Sequence, residues 1–332
     1  MFPRPIQRHL EPLTHEEAPV TPIWLRGSAM LTTTALIWGG MFAVMKPLMA
    51  EIDPFTLTLL RYGLAIPVLL VLLVAVEGRA ALATDGRTLR LAWLGTVGFA
   101  GFGLLFALGL DAARPEHAAV IPALMPLISV VVLALRKRAW PASRALAAIG
   151  LALAGVALVV THGDPRVLLT GVAGRGEAMI LAGATCWVIY TLAAAEFPKM
   201  SGLRYTTLTC AFGTLGIAAV ALVAWAFGAA ALPAAGTLEA AAPALGYLAL
   251  LAAVVGFLCW NAGMRALGAA RGVLFINLVP VTAFTIAVLG GRVPTGAELA
   301  GVTLVIVALL LNSLAQKAPA PVTLSLSARG AG

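Results

Sequence analysis

Charged residues are scarce in this sequence. Only 11% of its 332 residues are Asp, Glu, Lys or Arg, whereas 61% are hydrophobic and the mean hydropathy is +0.99. A soluble domain carries about 25% charged residues, so this chain has too little charge to cover a surface that faces water. The composition therefore predicts an all-α integral membrane protein, in which helices satisfy the backbone within an apolar solvent.

Residues with reactive or metal-binding side chains are also few. The three cysteines, Cys186, Cys210 and Cys259, are scattered within apolar runs, so they predict neither a disulfide framework nor a metal site. The sequence has no phosphate-binding loop and no nucleophile elbow, and GFAGFGLLF has Phe106 where a dinucleotide-binding loop needs its third glycine. These absences argue against an enzyme, an ATP-driven motor and any cofactor.

Acidic residues are missing from the middle of every apolar run. Proton-coupled pumps usually bury a carboxylate or a histidine relay, so this absence favours facilitated export down a gradient over proton antiport. It also argues against polycations as cargo. The acids nearest to the apolar runs lie at or close to their ends: Asp53, Asp111, Glu116, Glu177 and Glu298.

What the sequence does contain is a series of long apolar runs. A helix needs about 20 apolar residues to cross the hydrocarbon core, and ten segments qualify, which predicts ten transmembrane helices. They are 24–48, 54–76, 88–111, 115–135, 142–161, 175–195, 203–227, 241–265, 270–289 and 294–315.

The basic residues orient these spans. The net charge of +8 could indicate a nucleic-acid partner, but with a cytoplasmic N-terminus about sixteen Lys and Arg fall on inside segments and about five on outside ones. The charge is therefore interpreted as a topology signal, with no nucleic acid involved. Both the N-terminal tail (1–23) and the C-terminal tail (316–332) are predicted to be cytoplasmic in a bacterial inner membrane.

The two halves of the chain repeat each other. AAVIPALMPLISVVVLAL (118–135) aligns with GVLFINLVPVTAFTIAVL (272–289), and LIWGGMF around Trp38 aligns with TCWVIYT around Trp187. Each repeat, 24–161 and 175–315 with an external linker at 162–174, spans five helices. Because an odd number of crossings reverses direction, the repeats are predicted to be inverted around a central cavity, as in many secondary transporters.

The same segments carry a family resemblance. ALIWGGMFAVMKPL, IDPFTLTLLRYGLA and the paired PALMPL and NLVPV segments resemble EamA-type members of the drug/metabolite transporter superfamily, from about Trp24 to Leu314. The resemblance implies a monomer-sized bundle of ten helices in lipid around a small-molecule site, and it is strongest to bacterial exporters of amino acids, including aromatic ones. The family's Gly-Glu pair after the fourth and ninth helices is replaced here by Leu135-Arg136 and Gly291-Arg292.

Arg61 interrupts the second apolar run, roughly 10 Å below its outer end at 1.5 Å per residue. An arginine within a span costs about 2.5–3.5 kcal/mol on insertion scales. It either contacts a substrate carboxylate or orders the outer gate, or else it has a structural role, snorkelling towards headgroups or binding freed carbonyls. In either case we expect helix neighbours to hold Arg61 at the outer wall of the cavity.

Aromatic residues near mid-membrane are the candidate lining of a substrate site. Tryptophans in membrane proteins usually collect at the interfaces, whereas Trp38 and Trp187 fall near the middle of their runs, so they predict a box for a planar or large apolar substrate. Ordinary packing is the alternative. The predicted substrate-binding set is Trp38, Phe42, Arg61, Phe99, Trp187, Tyr190, Trp260 and Asn277.

Prolines and rim residues complete the predicted site. Pro122, Pro126 and Pro280 each remove a backbone donor, which predicts kinks whose freed carbonyls accept a substrate ammonium and whose bending gates the cavity. At the outer rim, Lys46 could attract anionic groups or simply snorkel, and His117 could respond to external pH or simply be a wet rim residue.

These observations predict an exporter of amino acids with large apolar or aromatic side chains. The alternatives are an exporter of another small metabolite or drug and, from a different class, a membrane-embedded enzyme or a lipid-handling protein.

Overall fold

The structure is a computed structural model that describes residues 22–113, 118, 120–140, 143–161, 163, 164, 166 and 174–315. Over this part of the chain all regular structure is helical and no strand occurs. The predicted all-α class is therefore confirmed for the described residues.

The longer helical segments of the described residues are numbered α1 to α10. Six are long and apolar enough to cross a membrane (α1, α2, α3, α6, α7 and α8), and four are shorter apolar helices. Their bounds are α1 Pro22–Leu48, α2 Pro54–Glu77, α3 Thr88–Ala112, α4 Ile121–Leu124 continued by Met125–Lys137, α5 Ser143–Thr161, α6 Arg175–Ala193, α7 Gly202–Ala226, α8 Ala235–Leu267, α9 Val273–Leu289 and α10 Gly296–Ala315.

Side-chain caps fix several of the helix starts. Asp53 accepts a hydrogen bond from the backbone N–H of Thr56 (2.9 Å) at the start of α2, and Ser201 accepts one from Arg204 (2.9 Å) at the start of α7. Each cap satisfies a backbone donor that has no partner within the helix. At α10, Thr295 and Glu298 form a reciprocal pair of such bonds.

The main difference from the prediction is the start of α8. The eighth segment was predicted to begin at residue 241, whereas the helix begins at Ala235. The prediction left the residues before 241 in a connector, but the many alanines of this stretch are strong helix formers and continue the helix.

Irregular turns occupy equivalent places in the two halves. A π-helical turn at Thr96–Gly101 lies inside α3 and another at Tyr247–Val255 lies inside α8. Short 3₁₀ turns, Ile121–Leu124 and Val273–Asn277, begin α4 and α9. Such turns redirect backbone carbonyls away from the regular ladder.

Helix packing is unchanged when the two halves are exchanged. α1 packs on α8 as α6 packs on α3, and α1 packs on α9 as α6 packs on α4. α2 packs on α7 and α5 packs on α10, and each of these pairs consists of two equivalent helices, so exchanging the halves leaves the pair unchanged. This pattern is the one that two equivalent five-helix units would produce.

Glycines allow the closest of these crossings. A Cβ on Gly109 would lie 2.6 Å from the carbonyl oxygen of Gly176, and the reciprocal distance is also 2.6 Å. At the equivalent crossing of α1 and α8, a Cβ on Gly263 would lie 3.0 Å from the carbonyl oxygen of Gly27. Small residues let helix backbones approach in this way inside a membrane.

Ion pairs identify one face of the bundle, here called the basic face. Arg90 of α3 pairs with Glu196 (2.8 Å), Arg136 at the end of α4 lies 3.6 Å from the same carboxylate, and Arg204 pairs with Asp85 (2.9 Å). α1 begins at this face, because Gly27 packs against the last turn of α8.

The opposite face, here called the far face, carries the ends of α1, α3, α5 and α9. α10 starts at this face, because Ala297 in its first turn lies next to Gly163, which follows the end of α5. α10 then runs back along α5, with Gly301 packed against Gly155. Both ends of the described chain therefore lie at the basic face.

We predict that Gly109→Ala destabilises the protein, because the new methyl group meets the α6 backbone and the helices must separate. Overpacking of this kind costs about 1–3 kcal/mol. Gly150→Ala is the matched control, since a Cβ there has nothing within 4 Å and alanine favours helix. Thermal unfolding in detergent should show a lower midpoint for Gly109→Ala alone, and equal midpoints for the two variants would contradict the crossing described above.

Candidate functional site

Aromatic rings from α1, α6 and α8 meet at Trp38. The centroid of its ring lies 5.6 Å from that of Trp187, 5.4 Å from that of Trp260 and 5.8 Å from that of Phe257. Edge-to-face and tilted pairs at these distances are the favourable arrangements for aromatic rings. The two repeats thus contribute their equivalent tryptophans to one cluster.

α3 extends the cluster on both sides. Phe99 contacts Trp187 (6.1 Å) and Tyr190 (5.2 Å), whereas Phe102 contacts Trp187 (5.2 Å) and Phe106, which in turn reaches Phe42 (5.5 Å). The structure therefore brings six of the predicted residues into one connected group. They are Trp38, Phe42, Phe99, Trp187, Tyr190 and Trp260.

The indole of Trp38 is anchored to the π-helical turn of α8. Its Nε1 donates to the carbonyl oxygen of Ala252 at 3.0 Å. The ring can lie this close because Gly256 has no side chain, and a Cβ there would be 2.6 Å from the same nitrogen. The anchor fixes the orientation of Trp38 in the middle of the bundle.

Trp187 is the equivalent residue of the second repeat, but it is not anchored in this way. The position equivalent to Gly256 is Phe102, whose ring packs against Trp187. The Trp187 Nε1 is buried without a hydrogen-bond partner among the described residues. A single difference in residue size thus makes the two halves chemically unequal at the site.

Arg61 lies inside the bundle and is only 2% exposed. Its guanidinium carbon lies 5.1 Å from the ring centroid of Tyr62 and 6.0 Å from that of Phe257, and Nη1 lies 3.9 Å from the sulfur of Met45. Its Nε is buried and, among the described residues, has no partner. Burial excludes snorkelling to the headgroups, and the guanidinium contacts aromatic rings and a thioether.

A cavity of about 400 Å³ opens between α4, α6, α8 and α9, and is here called the basic-side cavity. Its size falls within the range of small-molecule sites. Its lining is apolar except for two hydroxyls, those of Ser129 and Thr191. The lining residues are Met125, Pro126, Ser129, Val130, Leu133, Trp187, Val188, Thr191, Leu192, Ala195, Trp260, Met264 and Val273.

A second, much narrower space adjoins it and is here called the constriction. It has room for about one water molecule, at about 20 Å³. Met125 lines both spaces, so only this side chain and the neighbouring rings separate them. The constriction is lined by Trp38, Met41, Phe42, Arg61, Phe102, Phe106, Pro122, Met125, Ile276 and Val279.

The three predicted gating prolines lie where α4 and α9 change helix type. Pro122 is inside the 3₁₀ turn of α4 and Pro126 opens its α-helical part. Pro280 follows the equivalent 3₁₀ turn of α9, whose last residue is Asn277. The side chain of Asn277 is half-buried, and its Oδ1 has no hydrogen-bond partner in the described part of the chain.

Lys46 is not a free charge at the outer rim, as one of the two sequence interpretations supposed. Its Nζ donates to three backbone carbonyls at the end of α3: Leu110 (2.7 Å), Asp111 (2.7 Å) and Ala113 (3.0 Å). Because an ammonium has three protons, its donors are all used. Lys46 therefore ties α1 to α3 at the far face, while His117 and Glu116 lie outside the described residues.

Tyr190 is directed away from the cavities. Its ring stacks on Tyr205 (5.1 Å), and its hydroxyl accepts long hydrogen bonds from Thr209 (3.4 Å) and Asn261 (3.5 Å). Asn261 also donates to Thr206 at 2.7 Å. Tyr190 thus joins the aromatic group through Trp187 (5.0 Å) and Phe99 (5.2 Å) and connects it to a polar cluster, but it is not among the residues that line the basic-side cavity or the constriction.

Sequence reasoning missed this polar cluster and three rings of the site, those of Phe102, Phe106 and Phe257. An amide inside the eighth apolar run (Asn261) and the threonines of TTLT in the seventh were visible signals. Phe102 and Phe257 were also visible, and Phe99, Phe102 and Phe106 follow the i, i+3, i+7 spacing of one helix face.

We predict that Lys46→Met lowers the unfolding midpoint in detergent. Hydrogen bonds to a charged group contribute about 1.5–3 kcal/mol each, and the carbonyls of α3 would lose theirs. Lys199→Met, in an exposed connector, is the control and should unfold like the unmodified protein. An unchanged midpoint together with a raised KM for an anionic cargo would instead favour the rim role.

Comparison with known proteins agrees with the helical fold. Two transporters of uncharacterised function from Bacillus subtilis (strain 168) are similar: YrdR is 30% identical over 88% of this chain and 92% of its own, and YyaM is 28% identical over 86% and 92%. A crystal structure that is 22% identical covers 87% of this chain and 96% of that one with a TM-score of 0.62, which shows the fold alone.

The family comparison matches each half of the chain separately. The description of the matching family is EamA-like transporter family, and the matched ranges are 25–161 and 174–314. These ranges coincide closely with the two repeats expected from the sequence. This chain, a multi-pass membrane transporter, belongs to the EamA-like transporter family.

Proposed function

We propose that this transporter exports amino acids with large apolar or aromatic side chains across a bacterial inner membrane, and that it works as a monomer by alternating access between two inverted five-helix repeats. The observation that carries the proposal is the buried guanidinium of Arg61, which adjoins an apolar cavity. The steps that lead from this observation to the cargo concern charge, size and access.

The charge argument concerns Arg61. A buried charge is strongly unfavourable unless a partner neutralises it. Among the described residues, two charged residues are buried: Arg61 and Glu298. Glu298 pairs with Arg292 at the far face (2.6 Å). A cargo carboxylate would give Arg61 the anionic partner that its protein neighbours do not provide.

The size argument concerns the basic-side cavity. Its volume of about 400 Å³ accommodates an amino acid with an indole or phenyl side chain. Met125, Val188, Leu192 and Met264 offer apolar walls, and Trp260 offers an aromatic face. A cargo with an aromatic side chain would therefore gain more from this cavity than a small one.

The access argument concerns the two faces. We assign the basic face to the cytoplasm, because the positive-inside rule favours basic residues on that side, and both ends of the described chain lie at this face. The basic-side cavity holds space for cargo, whereas the constriction does not. Cargo would enter from the cytoplasm, and movement of α4 and α9 at Pro126 and Pro280 would then bring its carboxylate to Arg61.

The alternatives explain less of this arrangement. A drug or metabolite without a carboxylate would use the apolar cavity but leave Arg61 unneutralised. An enzyme or lipid-handling protein would not show saturable counterflow of an amino acid in proteoliposomes, so that measurement separates the classes.

We predict that Arg61→Met keeps the fold and loses transport. Removing a buried unpaired charge is neutral or stabilising, whereas losing a charge pair with the cargo costs about 2 kcal/mol or more, which raises the half-saturation concentration about 30-fold. Counterflow of radiolabelled tryptophan in proteoliposomes measures this effect, with Arg79→Met, exposed at the basic face, as control.

Tryptophan amide distinguishes direct contact from a structural role. It lacks the carboxylate, so its weaker transport should be the same in the unmodified protein and in Arg61→Met. If Arg61→Met transported tryptophan normally, Arg61 would not bind cargo.

We also predict an order of competition. Tryptophan and phenylalanine should inhibit counterflow at lower concentrations than leucine, and leucine at lower concentrations than alanine, because each buried methylene contributes about 0.8 kcal/mol. Equal inhibition by alanine and tryptophan would contradict the aromatic preference while leaving amino-acid export intact.

A further inference from the structure

A second cavity of about 390 Å³ lies between α1 and α9 and is here called the far-side cavity. It has almost the same volume as the basic-side cavity but lies towards the opposite face, next to the far end of α9. Sequence reasoning predicted a single central cavity. Six of the residues that line the far-side cavity carry the argument that follows: Gly39, Phe42, Ala43, Ala283, Phe284 and Ala287.

The α1 wall of this cavity is the repeat equivalent of the α6 wall of the basic-side cavity. Trp38 and Trp187 set a spacing of 149 residues between the first helices of the repeats. At this spacing, three residues that line the far-side cavity are equivalent to three residues that line the basic-side cavity. The pairs are Gly39 with Val188, Phe42 with Thr191, and Ala43 with Leu192.

The α9 wall shows the same correspondence with α4. Pro126 and Pro280 set a spacing of 154 residues between the fourth helices of the repeats. Three further wall positions match at this spacing. The pairs are Ser129 with Ala283, Val130 with Phe284, and Leu133 with Ala287.

The three spaces form a series through the bundle. Met125 lines both the basic-side cavity and the constriction, and Phe42 lines both the constriction and the far-side cavity. A cargo that leaves the basic-side cavity past Met125 and Arg61 would come next to Phe42, which is also part of the wall of the far-side cavity.

The chemistry of the far-side cavity suits the apolar body of the cargo. Phe42 and Phe284 contribute two rings to its wall. Arg292 lines the same cavity with a side chain that is 28% exposed, and its guanidinium carbon lies 5.8 Å from the ring centroid of Phe284. Because this guanidinium already pairs with Glu298 (2.6 Å), the rings and the small apolar side chains are what the cavity offers to cargo.

We propose that the far-side cavity is a second binding site for the cargo, occupied on the way out and able to hold a molecule while the basic-side cavity holds another. The identity of the cargo rests on the proposed function. The existence of two sites follows from the paired geometry of the cavities and is tested separately.

The test uses the equivalent positions Ser129 and Ala283, one in each cavity. Radiolabelled tryptophan binding to the purified chain, measured by scintillation proximity, should saturate at two molecules per chain. Ser129→Phe should remove one of them and Ala283→Phe the other. Val281→Phe is the control, because Val281 is 47% exposed on α9 and does not line this cavity; its stoichiometry should stay at two.

Labelling provides a second measurement that does not depend on the filled variants folding. With Cys186, Cys210 and Cys259 replaced by alanine, Ala287→Cys should react with an impermeant methanethiosulfonate reagent added at the far face, and saturating tryptophan should slow the reaction at least about fivefold. Leu289→Cys, at a position that is 82% exposed, should react at the same rate with and without tryptophan.

The outcomes separate this inference from the proposed function. Saturable tryptophan counterflow with one molecule bound per chain, and no protection of Ala287→Cys, would overturn the second site and leave the exporter intact. Absence of any saturable tryptophan binding or counterflow would overturn the proposed cargo for both sites.

Discussion

The close approach of α3 to α6 and of α1 to α8 is the constraint on which the rest of the structure depends. Gly109 meets Gly176 and Gly27 meets Gly263 at equivalent places in the two repeats. In lipid, helices gain little from hydrophobic association and are held by close packing and hydrogen bonds. Once these four helices touch at their backbones, the tryptophan that follows eleven residues after Gly27 or Gly176 must lie in the middle of the bundle.

The functional character of the site comes from differences between equivalent positions rather than from the repeat itself. Gly256 lets Trp38 reach the carbonyl of Ala252, whereas Phe102, its equivalent, occupies the corresponding space beside Trp187. Trp38 is therefore fixed on α8, while Trp187 packs against a ring. The site thus has a tryptophan held by a hydrogen bond in one repeat, Trp38, and a tryptophan held by apolar packing in the other, Trp187. This combination suits a site that must hold cargo and then release it.

Much of this arrangement could be predicted from the sequence, because lipid imposes strong rules. The scarcity of charge required a membrane, the lengths of the apolar runs gave nearly all the helix bounds, and the spacing of Trp38 and Trp187 gave the equivalence of the halves. The aromatic residues at mid-span were expected near one another, and they are. The function that they serve was inferred from the same rules and stays a prediction.

What the sequence did not predict depends on contacts between distant segments. Lys46 resembled a rim charge until the end of α3 was seen to lie beside it, 64 residues further along the chain. Tyr190 has the spacing of a box residue, but Asn261 and Thr209 bind it on the other side. The early start of α8 was missed because the prediction left the alanine-rich residues before 241 in a connector.

The position of Lys46 also explains why the two faces differ in this structure. Its equivalent in the second repeat is Ala195, and the equivalent of Leu110, which accepts from Lys46, is Met264. Both Ala195 and Met264 line the basic-side cavity. At the far face, the Lys46 ammonium and three carbonyls hold two helix ends together. At the basic face, the equivalent positions carry the methyl group of Ala195 and the thioether of Met264, which make no such bonds. Equivalent positions therefore tie two helix ends together at the far face and line a cavity at the basic face.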